Sequence, residues 1–186
     1  MSNADSTFAL STRKELFVTP IWVFDVEQAQ IMNVRLRASL ENLMAPLPDI
    51  PAGATWQSEQ RLHHAPEFSE LMDIVHEAVA QALAELEVES TPLEITGAWA
   101  NINPRGSAHH AHTHPNNYLS GVYYLKVPAG SGVISFQDPR PQTMQINPRV
   151  ARGNPLNSTT QSVSIEEGRL VLFPAWLAHN VPPNPA

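Results

Sequence analysis

From Glu94 onward the chain breaks into short apolar runs rich in β-branched and aromatic residues. They are ITGAWANI (95–102), NYLSGVYYLKV (117–127), GVISFQ (132–137), QSVSI (161–165), GRLVLF (168–173) and HNV (179–181). Runs this short, set apart by turn-forming segments, cannot each form a buried helix, and they predict strands of a sandwich or barrel. NPRGS, PAGSG, EEG, PAW and the proline-containing segment 138–160 separate them, and PAGSG and EEG have the glycine content of hairpin turns.

The first half reads differently. KELFVTPIWVFDV (14–26) suits two short edge strands, or one broken at Pro20. Asp25 followed by Gln28 looks like a capping pair opening a helix through VEQAQIMNVRLRASLENLMA. Pro66 is well placed at a first helical position, and Phe68, Leu71, Met72, Val75, Val79, Leu83 and Leu86 follow at spacings of three and four. The expected fold class is therefore α+β. Residues 1–92 form a mostly helical support with edge strands, and residues 93–186 a jelly-roll core whose one face the helices cover. At 186 residues this is expected to be one domain.

Composition narrows the chemistry. The formal charge of -7 disfavours nucleic acid and anionic membrane surfaces as partners. There is no cysteine, so any metal must be held by nitrogen and oxygen. The start of the chain lacks the pattern of a secretory signal, and no apolar stretch approaches the length of a membrane span, which makes the cytoplasm the expected location. Nucleophile-elbow, phosphate-loop and dinucleotide-loop motifs do not occur.

Four of the eight histidines fall within six positions: His109, His110, His112 and His114. On a strand, residues two apart share a face, so His110, His112 and His114 are expected to converge while His109 points away. His179, after the run GRLVLFPAWLA, is the distant partner that strand pairing could bring to them. Two such histidines with a third group make a three-ligand site with open positions, as in non-heme iron chemistry. His63, His64 and His76, in the helical half, are expected to have no such role.

HTHPNNYLSGVYYLKVP, GSGVISFQDPRP and GRLVLFPAWLAHNVPPN, in this order, resemble a family of uncharacterised bacterial 2-oxoglutarate- and Fe(II)-dependent oxygenases. More distantly, NINPRGSAHHAHTHP is similar to the stretch around the first iron histidine of aspartyl/asparaginyl β-hydroxylases. The resemblance implies a double-stranded β-helix, the cupin-like jelly-roll, with Fe(II) as metal and 2-oxoglutarate as co-substrate. It places iron ligands at His112 and His179, with His114, Asp138 or water as the third, and 2-oxoglutarate contacts at Asn101 and Tyr123. The arginine that anchors 2-oxoglutarate in these families lies about ten residues after the distal histidine. That implies either a last strand beyond Ala186 or a substitute among Arg105, Lys126, Arg140 and Arg169.

The expected function is a dioxygenase that hydroxylates a small-molecule or peptide substrate with O2. The alternatives are a cupin-like metal enzyme that does not use 2-oxoglutarate and a non-catalytic metal-binding jelly-roll. Segments 46–65 and 139–160 are expected to set specificity.

Overall fold

The computed structural model describes residues 10–45, 49–89, 92–146 and 148–186. Pro46, Leu47 and Pro48 of the expected specificity loop lie outside them, as do residues 1–9, Ser90, Thr91 and, in the other expected specificity segment, Asn147. The elements run β1 (Trp22–Asp25), α1 (Ala29–Met44), β2 (Trp56–Gln57), α2 (Ser69–Glu85), β3 (Asn101–Ile102), β4 (His109–His112), β5 (Leu119–Tyr123), β6 (Val133–Gln137), β7 (Thr160–Ser164), β8 (Arg169–Pro174) and β9 (His179–Val181). All strand pairings between them are antiparallel.

The strands form a three-stranded sheet in the order β1-β8-β5, a four-stranded sheet in the order β4-β9-β6-β7, and the small pair β2-β3. Ile134, Phe136, Val171, Phe173 and Leu177 make the core between the two larger sheets. The outer face of the three-stranded sheet packs Leu170, Leu172 and Trp22 against Ala78 and Ala82 of α2. This is the helix-covered face that the sequence leads one to expect. The Trp22 indole donates to Glu85 at 2.8 Å and ties the end of α2 to β1. α1 buries Ala29, Met32, Asn33, Leu36 and Leu40, a stripe at helical spacing, against a cluster containing Leu62 and Phe68.

Three expectations are corrected. Only the part of KELFVTPIWVFDV after Pro20 forms a strand, and Phe17 sits exposed with φ at 58°. Asp25 does not cap α1: it ends β1 and accepts from Arg169 Nε at 2.8 Å, while Gln28 stands at the start of the helix in the left-handed region. PAGSG and EEG are not hairpin turns. The first joins β5 to β6 and the second β7 to β8, so each carries the chain from one sheet to the other. The long segment 138–159 is the connection that joins two paired strands, β6 and β7. Glycine is required in both sheet-to-sheet corners for the same reason, since Gly130 and Gly168 both have φ at 85°.

Candidate metal centre

The strand pairing builds the site. β9 pairs with β4 on one side and β6 on the other, so His179 lies directly opposite His112 and also opposite Phe136. Residues directly opposed in an antiparallel pair share a face, so the exposed His112 lies on the same face as the buried His179. The chain then turns out of β4, and His114 donates its backbone N–H to the carbonyl of Ala175, 2.9 Å away, in the loop that leads to His179. The side-chain donor atoms of His112, His114 and His179 all lie within 4.8 Å of one another. The ring centroids are 4.3 Å apart for His112 and His179, 5.1 Å for His112 and His114, and 5.2 Å for His114 and His179.

Two backbone carbonyls fix which nitrogen is offered. His112 Nδ1 lies 2.8 Å from the carbonyl oxygen of His110, and His179 Nδ1 lies 3.0 Å from that of Leu177. A carbonyl oxygen only accepts, so in each ring Nδ1 carries the proton and Nε2 keeps its lone pair for a metal. Ligands on one ion can be at most about 4.2 Å apart, twice a metal–nitrogen bond of about 2.1 Å, so closing this triad around an ion needs only small side-chain rotations. The donor set is all imidazole, which suits iron as well as nickel, copper and zinc.

His179 is buried, with its ring 4.6 Å from that of Phe173. Burial pushes its pKa down to about 4, against the Leu177 carbonyl, which works to raise it; the neighbouring His112 and His114 depress it further. His114 is also lowered, first by burial and then by His112. The rings of His114 and His179 therefore stay neutral, and so able to ligate, near neutral pH. A pH dependence follows for the metal-free protein. The folded pKa of His179 lies below the unfolded value, so the unfolded state binds more protons in between, and stability falls as pH drops from about 6.5 to about 4. The contribution is roughly 3 kcal/mol, visible as a lower urea midpoint at pH 4.5 than at pH 7.5. A midpoint unchanged between those pH values would contradict the burial of a neutral His179.

The other expected site residues lie elsewhere. Asp138 is outside the triad: its carboxylate accepts from Arg140 N at 3.0 Å, Nε at 2.9 Å and an Nη at 2.7 Å, and the guanidinium holds its pKa below the usual carboxylate value. Tyr123 faces the helices, where its hydroxyl donates to Asn33 Oδ1 at 2.7 Å. Asn101 sits exposed in β3, paired with Gln57. Of the four candidate cations, Arg140 is engaged by Asp138, Arg169 by Asp25 and Glu166, and Arg105 and Lys126 are exposed.

His109 and His110 exchange their expected roles. Between the pairs His109↔Val181 and His112↔His179, β4 has two residues where β9 has one. That extra residue is a β-bulge, which shifts the alternation by one. His109 thus shares the face of His112, and its Nε2 donates to Asn103 Oδ1 at 2.9 Å, while His110 is exposed and contributes its carbonyl. The rings of His63 and His64 lie tilted against each other, with centroids 3.9 Å apart.

Residues 97–186 match the profile of the family described as "Putative 2OG-Fe(II) oxygenase". That stretch, the strand-rich half of the chain, is similar to the 2OG-Fe(II) oxygenases. Fe(II) and 2-oxoglutarate are the metal and co-substrate of this family, and the His triad could hold a metal ion. Among solved structures, the fold is similar to a Pseudomonas putida prolyl-4-hydroxylase, with a TM-score of 0.58 at 16% identity over 90% of this chain and 87% of that one. It is similar also to HygX from Streptomyces hygroscopicus, solved with nickel and 2-oxoglutarate bound, with a TM-score of 0.60 at 16% identity over 90% and 78%. No curated protein sequence matches the chain. Among the described residues, no helix is long and apolar enough to cross a membrane.

Proposed function

We propose that His112, His114 and His179 are the three iron ligands of this oxygenase, that the two larger sheets are the halves of a double-stranded β-helix, and that the reaction is a hydroxylation. The observation that carries the ligand assignment is the convergence of three imidazoles on one point, two of them with carbonyl-fixed tautomers that present Nε2. When bound, iron with 2-oxoglutarate and O2 supplies the oxidising power for C–H hydroxylation, with 2-oxoglutarate converted to succinate and CO2.

The residues of this chain hold and shape that chemistry. A set of three neutral imidazoles leaves the full double positive charge of Fe(II) uncompensated, which favours a dianionic 2-oxo acid as the next ligand. Phe136 and Phe173 pack on the inner side of His179, exclude water and fix its ring. Asp138, already held by Arg140, is left out of the ligand set.

For the far carboxylate of 2-oxoglutarate, Tyr124 takes the place expected of Tyr123. β5 and β8 pair Val122 with Val171 and Tyr123 with Leu170, so Val122 and Tyr124 face the core between the sheets while Tyr123 faces the helices. Burial pushes the Tyr124 phenol above its usual pKa and keeps it a neutral hydrogen-bond donor. Tyr124→Phe is expected to weaken 2-oxoglutarate binding about tenfold, the worth of one hydrogen bond to a charged group. Tyr123→Phe is expected to leave that affinity alone and cost about 1 kcal/mol of stability through the lost Asn33 contact. Calorimetric titration of the two variants with 2-oxoglutarate, with Fe(II) bound under nitrogen, separates them; the reverse pattern would return the role to Tyr123. Succinate released in a 2-oxoglutarate-dependent manner tests the reaction itself.

A further inference from the structure

Three loops ring the end of the sandwich where His112, His114 and His179 meet. They are residues 113–118 between β4 and β5, 138–159 between β6 and β7, and 175–178 between β8 and β9. Backbone hydrogen bonds stitch them to the site and to one another. Gln137 donates to Ala178 at 2.9 Å, His114 to Ala175 at 2.9 Å, Ala175 to Tyr118 at 3.1 Å, and Asp138 to Thr159 at 2.9 Å.

The charge on these loops opposes that of the molecule. The whole chain is at -7, yet the three loops contain three arginines, Arg140, Arg149 and Arg152, and one acid, Asp138. Asp138 is neutralised by Arg140. Arg149 and Arg152 are exposed and, among the described residues, have no ion-pair partner. The acids of the strand-rich half besides Asp138, Glu94 aside, are Glu166 and Glu167, in the corner at the other end of β8. The metal end is thus a local cationic region on an anionic protein, the arrangement that steers an anionic partner to one place.

The same loops expose large apolar side chains. Ile146 is 81% exposed, Leu156 67%, Tyr118 61% and Trp176 55%. Trp, Tyr and Arg are the residue types that dominate macromolecular contacts. A small anion is gripped by buried polar groups in a closed pocket, whereas these cations and apolar groups stand on an exposed rim spread over three loops.

We propose that this rim is the substrate-docking surface, and that its occupant is an acidic segment of another polypeptide, laid across Arg149 and Arg152 with an apolar residue on Trp176 or Tyr118. The inference rests on the oxygenase reading only for the statement that the bound segment is the substrate; the docking itself stands on charge and exposure.

The test is fluorescence anisotropy of the full chain with three labelled peptides of the same apolar and aromatic content. Their alternate positions carry glutamate, glutamine or lysine. The glutamate peptide is expected to bind at least about tenfold more tightly than the glutamine peptide, with the lysine peptide weakest and the preference shrinking as salt rises. Arg149→Gln with Arg152→Gln is expected to remove most of the preference. Equal binding of the glutamate and glutamine peptides, or a preference that survives the double substitution, would overturn the proposal. So would full displacement of the glutamate peptide by free glutarate or inorganic phosphate at concentrations that leave salt effects unchanged, which would assign the arginines to a small anion. The visible absorbance of the wild-type protein with Fe(II) and 2-oxoglutarate is recorded alongside. A band without peptide preference removes the docking proposal alone; peptide preference without a band keeps the docking surface and removes the oxygenase reading.

Discussion

Replacing His112 with alanine is expected to cost the protein its metal and almost none of its stability. The side chain is exposed, so its loss opens no cavity and leaves no buried group unpaired. Each ligand of a three- or four-ligand site contributes roughly 3 kcal/mol of binding, so one removal should weaken metal affinity at least about a hundredfold. His179 is different. The residue is 5% exposed and its ring packs against Phe136 and Phe173, so His179→Ala should lose the metal and also about 2 to 3 kcal/mol of stability through the cavity left behind. From the sequence, both residues look like ligands with no part in the core; the structure corrects this for His179. Urea unfolding of both variants in the presence of a chelator, together with Fe(II) titration under nitrogen, reads out the split. Equal stability loss in the two variants would contradict the burial described here, and unchanged affinity in either would remove that residue from the site.

The second large effect is at Gly168. Its φ of 85° lies in the left-handed region, which costs a residue with a side chain about 1 to 2 kcal/mol. A Cβ there would also stand 2.7 Å from the Cβ of Ala29, at the start of α1. Neither neighbour can yield easily. Ala29 is buried, and Val26 on the chain leading into α1 donates its N–H to the Gly168 carbonyl at 2.9 Å. Gly168→Ala should therefore lower stability by about 3 kcal/mol and the melting temperature by about 10 °C. Because the corner lies at the end of β8 away from His179, 2-oxoglutarate affinity of the folded protein should not change. Gly130→Ala serves as the comparison, since it has the same φ but nothing within 4 Å of an added Cβ, and should cost only the backbone share.

Much of the site was legible in the sequence because residue chemistry and strand alternation are local. His112 and His179 could be singled out from residue type and from their places beside apolar runs, and the pairing His112↔His179 brings them together. What was not legible depends on register. The doublets His109–His110 and Tyr123–Tyr124 each place one ring on either face of a strand, and nothing in the doublet says which. A one-residue bulge in β4 decides the first, and pairing with β8 decides the second.

The fold shows the same division. Helix α2 and the positions of most strands follow from periodicity, whereas the destination of each connection does not. PAGSG and EEG have hairpin composition, but a turn sequence specifies a change of direction and not the sheet in which the next strand pairs. Asp25 likewise has the chemistry of a cap, and an arginine 144 residues away claims it. The third position was open for a comparable reason: Asp138 carries the right chemistry, and its own neighbour Arg140, two residues on, is the partner that it meets.

The most direct test of the three-histidine centre is an anaerobic titration of Fe(II) with 2-oxoglutarate, followed by the weak visible absorbance of the chelated 2-oxo acid, in the wild-type protein, His114→Ala and Asp138→Ala. A band in the wild type and in Asp138→Ala, lost or strongly weakened in His114→Ala, is the result expected. A band that survives in His114→Ala and disappears in Asp138→Ala, or no band in the wild type, would contradict the assignment.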